Sequence, residues 1–255
     1  MDNFLETLKQ VEAFTAENAV SVFCPVAQLT LDFKPLTVTQ TKDIIKSKID
    51  TDPDVVKTGT ELANIYNQII VDNCVDGIEV ADKLTTIDRE IILFELRYAS
   101  NPVYEVEGKE VDLSAIKQNI KTVKITKKAV SSEKRLKFKA GDITLKLSIP
   151  TIKKDKNFNN ALAKLCKEKK INDVLAEVLV TEASKYIDTI TLNESTIDFN
   201  DPNNASNSLN IIQKLPSSVL TKVSEYITEV KTYRNTVFSV ENQLVDLGSD
   251  FFSSI

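Results

Sequence analysis

The sequence predicts an α+β fold that is mainly helical, with a small antiparallel β-sheet and a C-terminal β-hairpin-like tail. Apolar residues recur at helical spacing in several long stretches, while shorter stretches alternate between apolar and polar residues as half-buried strands do. Helices and strands do not follow each other regularly enough for a repeated βαβ unit. The chain has 255 residues, 42% of them hydrophobic, which is enough to build a full core.

The strongest helical pattern runs from Leu84 to Asn101. Thr85 and an acid three residues later, Asp88, form the signature of a capping box at the helix start. The apolar positions Ile87, Ile91, Phe94 and Tyr98 share one helical face. We expect Ile91 and Phe94 to be buried, and we expect Arg89 and Arg97 to make internal ion pairs rather than to contact another protein.

Four elements are predicted before this helix. An amphipathic helix over residues 3–18 carries Phe4, Leu8, Val11 and Phe14 at helical spacing, and it could pack on the core or dock on a partner. A strand over residues 29–34, ended by Pro35, follows, then a helix that starts at Thr37 or Thr39. Asp52-Pro53 has the composition of a helix start, and the helix that follows reaches Cys74 with a break near Gly59.

More elements are predicted after it. Residues 103–111 form a hairpin, residues 121–125, 136–138 and 143–149 form strands, and residues 158–165 and 171–190 form helices. A polar loop covers residues 200–207, a helix begins at Pro216, and residues 236–247 alternate as strands do.

Composition excludes most catalytic chemistry. The chain has no histidine, so imidazole acid–base catalysis and histidine metal ligands are absent. The three cysteines Cys24, Cys74 and Cys166 are too scattered for a four-cysteine zinc site or a disulfide framework, and buried positions are expected for them. No phosphate-binding glycine motif is present. We predict no enzyme activity, no cofactor and no metal.

Because carboxylates are plentiful, two further possibilities remain, a hydrolase that uses Asp or Glu side chains and a magnesium site. The best acidic cluster consists of Glu194, Asp198 and Asp201. Its neighbours are rich in Asn, Asp and Ser, which favours a solvated loop. No apolar run is long enough to cross a membrane, and the first residues lack the pattern of a secretory signal, so a cytoplasmic, soluble protein is expected.

Positive charge is concentrated in residues 121–170, which carry a net charge of +12, while the rest of the chain carries −17. We expect an antiparallel sheet with one lysine-rich face. Either this face is a solvated surface that protects the sheet edge, or it binds an acidic partner. The candidate partner-binding residues here are Lys134, Arg135, Lys137 and Lys139. Nucleic acid fits less well, because Phe138 is the only aromatic residue between Lys121 and Phe158.

Both ends of the chain are apolar. Phe251, Phe252 and Ile255 close the chain, and Phe4 and Leu8 lie near its start. Such side chains are expected to be buried, either in the core of the chain or in a partner. All five are therefore candidate partner-binding residues.

Two stretches carry a resemblance to a known family. One runs from Leu31 to Ile45 and reads LDFKPLTVTQTKDII. The second, more specific, combines IIVDNC at residues 69–74 with KLTTIDREIILFELR at residues 83–97. Both resemble the T4-type bacteriophage baseplate family, whose members are described as hub subunits or hub-assembly proteins. The remaining chain fits this family loosely.

The resemblance implies a non-enzymatic tail protein that binds other hub or wedge proteins, in oligomeric copies or singly. It would reside in the virion baseplate, or in the host cytoplasm during assembly as a chaperone absent from the mature virion. Some relatives carry a zinc-ribbon-like segment near the C-terminus, but residues 233–247 hold no cysteine here. The alternative belongs to a different class of function: it is an accessory protein that binds nucleic acid through the basic sheet.

The chain divides, on this basis, into three predicted regions. Residues 1–120 form an N-terminal α+β region with the family motifs, residues 121–153 form the basic β segment, and residues 154–255 form a C-terminal helical region with the strand-like tail.

Overall fold

The computed structural model describes residues 2–49, 55–106, 109–166, 171–201, 205–241 and 243–253. The helices in these ranges are α1 (Asp2–Glu17), α2 (Val38–Ile49), α3 (Val55–Asn73), α4 (Ile78–Ala81), α5 (Thr86–Ser100), α6 (Ser114–Thr122), α7 (Lys127–Val130), α8 (Ile152–Cys166), α9 (Ile171–Lys185), α10 (Ala205–Ile212), α11 (Ser217–Val237) and α12 (Ser249–Ser253). The strands are β1 (Val20–Cys24), β2 (Leu29–Phe33), β3 (Val103–Val106), β4 (Lys109–Asp112), β5 (Ser131–Phe138), β6 (Gly141–Ser148), β7 (Ile187–Leu192), β8 (Ser195–Asp198), β9 (Ser239–Val240) and β10 (Gln243–Leu244). The predicted α+β class is confirmed.

The largest sheet has four antiparallel strands in the order β5-β6-β7-β8. Its inner face presents Ile143, Leu145 and Leu147 of β6 and Ile187 and Ile190 of β7 to the core. Three separate two-stranded hairpins, β1-β2, β3-β4 and β9-β10, complete the β structure of the described chain. The four-stranded sheet joins strands of the predicted basic segment and of the predicted C-terminal region, and one hydrophobic core extends through all three predicted regions.

Helix α5 lies at the centre of that core. The Thr85 side chain accepts a hydrogen bond from the backbone N–H of Asp88, and the Asp88 carboxylate accepts one from the backbone N–H of Thr85, so the predicted capping box is confirmed. The Asp88 carboxylate also accepts a bond from the N–H of Val26, which ties the helix start to the turn after β1. Ile91 and Phe94 are fully buried, as expected. The polar side of α5 is buried too, because other helices cover it.

Most predicted elements are present. The structure confirms the helix predicted at residues 3–18, the strand at 29–34, the helix starting near Thr37 or Thr39, the hairpin at 103–111 and the helix after Pro216. The helix start predicted at Asp52-Pro53 lies outside the described residues. Strands β1, β7 and β8 and helices α4, α6, α7, α10 and α12 were not predicted from the sequence.

Three predictions of local structure are wrong. Residues 121–125 do not form a strand: they include the end of α6 and an irregular segment in which Val123 and Ile125 are half-buried. The alternation there reflects burial, but no described strand pairs with it. The helix predicted over 171–190 ends at Lys185, because the β-branched run from Ile187 pairs with β6. Helix α3 continues through Gly59 without a break.

The end of the chain differs in part from the prediction. Two short strands, β9 and β10, form the expected hairpin, and Val245 donates a backbone bond of 2.8 Å to Phe238 beside it. The last described residues form the short helix α12, for which the sequence predicted no secondary structure. None of the described helices combines the length and the apolar character that crossing a bilayer would require.

Candidate interaction surfaces

Strand β5 contains three of the four predicted basic site residues, and it lies at one edge of the large sheet. Successive side chains of a strand point to opposite faces. Arg135 and Lys137 are exposed on the outer face, whereas Lys134 is half-buried on the side of Leu136 and Phe138. Lys139 is exposed in the turn to β6. The structure therefore does not bring Lys134 onto the same face as its basic neighbours.

The outer face of this sheet carries nearly as many acids as bases. Glu133 of β5 is opposite Lys146 of β6, and Lys137 is opposite Asp142. Arg135 donates from Nε and Nη2 to the Asp142 carboxylate at 2.9 and 2.6 Å. The sheet face is polar, but it is not the strongly positive surface that the sequence suggested.

A second basic surface lies beside β5, where the sequence analysis had placed a strand. We call it the lysine groove: a cavity of about 680 Å³ between the turn after β1, the end of α6, the irregular segment 123–126, α7 and the start of β5. Its basic residues are Lys121, Lys124 and Lys127, and all three are exposed. Its apolar lining residues are Phe23, Pro25, Val26, Ile120, Val123, Ile125 and Val130.

The positive charge of the lysine groove is not neutralised within the described chain. No described carboxylate lines the groove or forms an ion pair with Lys121, Lys124 or Lys127. The adjacent Lys128 differs, because its Nζ lies 2.9 Å from the Glu229 carboxylate on α11. Three like charges above an apolar lining create a local positive potential that attracts an acidic ligand.

Helix α1 exposes apolar side chains. Leu5, Val11 and Phe14 have exposed fractions of 55%, 55% and 68%. Among the α1 side chains that the structure describes, none belongs to the hydrophobic core or packs against it. Phe4 and Leu8, the predicted site residues on this helix, have side chains outside the described set. Of the two alternatives for this helix, the described side chains favour docking on a partner.

The apolar residues at the other end of the chain are inside the protein. Phe251 and Phe252 are fully buried. The Phe251 ring lies 5.0 Å from the Tyr104 ring and 6.3 Å from the Phe94 ring, measured between centroids. The intrachain core accounts for the burial of both phenylalanines, so they do not offer a docking surface in this structure. Ile255 lies outside the described residues.

Arg97 of α5 holds in place helix α12, which contains both phenylalanines. Its Nε donates to the backbone carbonyl of Phe251 at 2.9 Å, and its guanidinium carbon lies 5.4 Å from the centre of the Phe251 ring. Further bonds reach the carbonyls of Asn101 and Val103. Burial lowers the pKa of Arg97. Arg97 is thus an internal residue, as expected, and backbone carbonyls are among its partners.

A buried ionic cluster joins four helices on the other side of α5. The Asp155 carboxylate of α8 lies 2.9 Å from Arg89 of α5 and 2.9 Å from Lys185 of α9, and it accepts a bond from Asn67 of α3. Burial by itself would raise the pKa of Asp155, but Lys185 and Arg89 outweigh burial and lower it to about 2. Arg89 is therefore an internal ion-pair partner, as predicted.

The described side chains contain no group of carboxylates, cysteines or histidines that could hold a metal ion. Glu194 and Asp198 are exposed at the β7–β8 hairpin, where Asp198 accepts a bond from the backbone N–H of Asn200. Burial raises the pKa of the Cys24 thiol, which disfavours the nucleophilic thiolate. Burial also raises the pKa of Cys74. The buried thiols of Cys24 and Cys74 therefore have the features of structural residues.

A comparison with protein families finds a match over residues 17–243 to the family described as T4 bacteriophage base plate protein. The match spans most of the chain, including α5, the large sheet and the lysine groove. The chain belongs to this T4 baseplate family.

Membership in the T4 baseplate family identifies the chain as a phage baseplate structural protein. Other baseplate proteins are its partners, and the tail baseplate of the virion is its location. No curated protein and no solved structure matches the chain. The family match begins at Glu17 and ends at Gln243, so the first 16 residues and the buried phenylalanines of α12 lie outside it.

Proposed function

We propose that this baseplate protein is a non-enzymatic hub subunit or hub-assembly factor that acts through protein–protein contacts. The observation that carries the proposal is the exposed apolar surface of α1. Exposed apolar side chains that are neighbours on a helix, as Val11 and Phe14 are here, are typical of a surface that is covered in a complex. The hub assignment rests on the resemblance of residues 31–45 and 69–97 to hub proteins.

The apolar surface of α1 is tested by co-purification with the other baseplate proteins. The variant combines Leu5→Asp, Val11→Asp and Phe14→Asp, and it should lose most of its bound baseplate proteins because charges replace the apolar contacts. A matched control combines Val38→Asp, Ile78→Asp and Leu179→Asp, three exposed apolar residues on other helices. Equal recovery of partners with both variants would contradict the proposal.

Two roles fit this function, a permanent subunit and an assembly factor that leaves before the virion is complete. Mass spectrometry of purified virions separates them. A hub subunit is expected at a stoichiometric level, whereas an assembly factor is expected to be absent or far below that level.

The predicted basic residues of β5 and its turn remain a proposed contact for an acidic partner. Charge reversal of Lys134, Arg135, Lys137 and Lys139 to Glu should reduce co-purification with hub proteins. The matched control reverses four exposed lysines elsewhere, Lys42, Lys46, Lys214 and Lys231. Unchanged complex formation in the β5 variant would remove this surface from the proposal.

Nucleic-acid binding through the same sheet is less well supported. The paired acids on the outer face, Glu133 and Asp142, oppose binding to a phosphate backbone. Filter binding at low salt measures this directly, and no retention of nucleic acid is expected.

A further inference from the structure

The lysine groove has two properties that together define its ligand. Its lysines have no ion-pair partner among the described residues and would attract negative charge, and its lining would accept apolar side chains. Phe23 in particular remains an exposed large apolar residue at this site. An amphipathic segment with acids beside apolar residues would satisfy both requirements, since helices bind grooves through apolar side chains spaced three or four residues apart.

Helix α1 is such a segment. It contains Asp2, Glu6, Glu12 and Glu17 and one basic residue, Lys9, which give it a net charge of −3. Its described apolar residues Leu5, Val11 and Phe14 are exposed. The charge of the helix is opposite to that of the groove, and both surfaces expose apolar side chains within the described chain, Phe23 in the groove and Leu5, Val11 and Phe14 on the helix.

We propose that α1 of one copy of this protein docks in the lysine groove of a second copy. The proposal rests on the proposed role of α1 as a docking helix, and it names the occupant of the groove. Val11 and Phe14, three residues apart on the helix, would cover the apolar lining, while the exposed acids Glu6 and Glu17 would lie near Lys121, Lys124 and Lys127. The described side chains of α1 do not line the groove of their own chain.

The contact joins two different surfaces, so its geometry determines the size of the assembly. If two copies exchange their α1 helices, the result is a closed dimer with two identical contacts. If the exchange is not reciprocal, the same contact builds a ring or an open chain. Either form predicts self-association of the purified protein.

The decisive experiment is a charge exchange measured by analytical ultracentrifugation of the full chain. One variant reverses the groove with Lys121→Glu, Lys124→Glu and Lys127→Glu. The other reverses the helix with Glu6→Lys, Glu12→Lys and Glu17→Lys. Wild type should self-associate at micromolar concentration, and each variant alone should dissociate with a Kd raised about tenfold or more, because like charges then face each other.

Mixing the two variants should restore association, because the positive helix of one variant meets the negative groove of the other. Restoration also shows that both variants are folded. A monomeric wild type would overturn the proposal. So would a mixture that stays monomeric, since α1 would then act within its own chain or bind only other proteins.

A third variant separates this proposal from the proposed function. The substitutions Leu5→Asp, Val11→Asp and Phe14→Asp should abolish self-association and partner recovery alike if both proposals hold. If partner recovery falls while wild type is monomeric, the proposed function stands and the self-contact fails. If self-association falls while partner recovery is unchanged, the self-contact stands and the proposed function of α1 fails.

Discussion

Helices α1 and α12 lie near the two ends of the chain, and their described apolar side chains differ in burial. The described apolar side chains of α1 face solvent, whereas Phe251 and Phe252 of α12 are fully buried. The two helices also differ in charge, since α1 has five charged residues among 16, whereas α12 has one, Asp250.

The core around α12 also offers specific places for these rings. Tyr66, Phe94 and Tyr104 contact them, and Arg97 binds the carbonyl of Phe251. No comparable set of residues meets α1 within the described chain. The comparison shows that an apolar segment becomes part of the core where neighbouring side chains leave a fitted space for it, and becomes a docking surface where they do not.

The largest predicted effect distinguishes the two helices by stability. Phe251→Ala should lower the free energy of unfolding by about 3–5 kcal/mol, because a buried aromatic ring is lost and a cavity remains. The matched substitution Phe14→Ala on α1 should change it by less than about 0.5 kcal/mol, since Phe14 is exposed. Urea unfolding of both variants measures this difference. Equal losses would show that α1 packs on the core in solution.

A second prediction concerns the polar part of the core. Asp155→Asn should lower the free energy of unfolding by about 3 kcal/mol, because Arg89 and Lys185 then remain buried with no carboxylate between them. Asp142→Asn serves as the control, since it removes only the exposed pair with Arg135 and should cost less than about 1 kcal/mol. Denaturant unfolding at neutral pH checks both values. A small effect of Asp155→Asn would mean that water reaches the cluster.

The same cluster predicts a loss of stability in acid. The pKa of Asp155 falls from 3.8 to about 2 in the folded protein. The unfolded state therefore takes up the proton first, so the contribution of Asp155 is complete above pH 4 and declines as the pH falls toward 2. Unfolding measured across this range should show that Asp155→Asn lacks this part of the pH dependence. An identical acid profile for wild type and variant would contradict the assignment.

The smallest predicted effect concerns the start of α5. Thr85→Ala should cost about 1 kcal/mol, because it removes the side-chain half of the capping box. Thr86→Ala, one residue later, should stay within about 0.5 kcal/mol. Thermal unfolding of the two variants tests whether the cap contributes separately from the packing of α5. Similar values for both would show that packing alone positions the helix.

The interaction surfaces were less predictable than the fold. The sequence placed Lys137 on a strand correctly and left Arg135 outside it, and pairing with β6 brought Glu133, Asp142 and Lys146 onto the face of both residues. The lysine groove was missed, because Lys121 and Lys124 were assigned to a strand. Its signal in the sequence was the presence of Lys121, Lys124 and Lys127 around the apolar residues Val123 and Ile125. Only the fold shows that Phe23 and Val26 complete the lining.

The sequence by itself determined the fold class, the capping box of α5, the burial of Ile91 and Phe94 and the absence of histidine chemistry. These features depend on local spacing and residue type, which act over one or two helical turns. The tertiary structure decided whether residues 187–192 join a sheet, which basic residues lack acids, and which apolar end is buried. Those outcomes depend on contacts between residues distant in sequence, such as Arg97 with Phe251, and local patterns do not contain them.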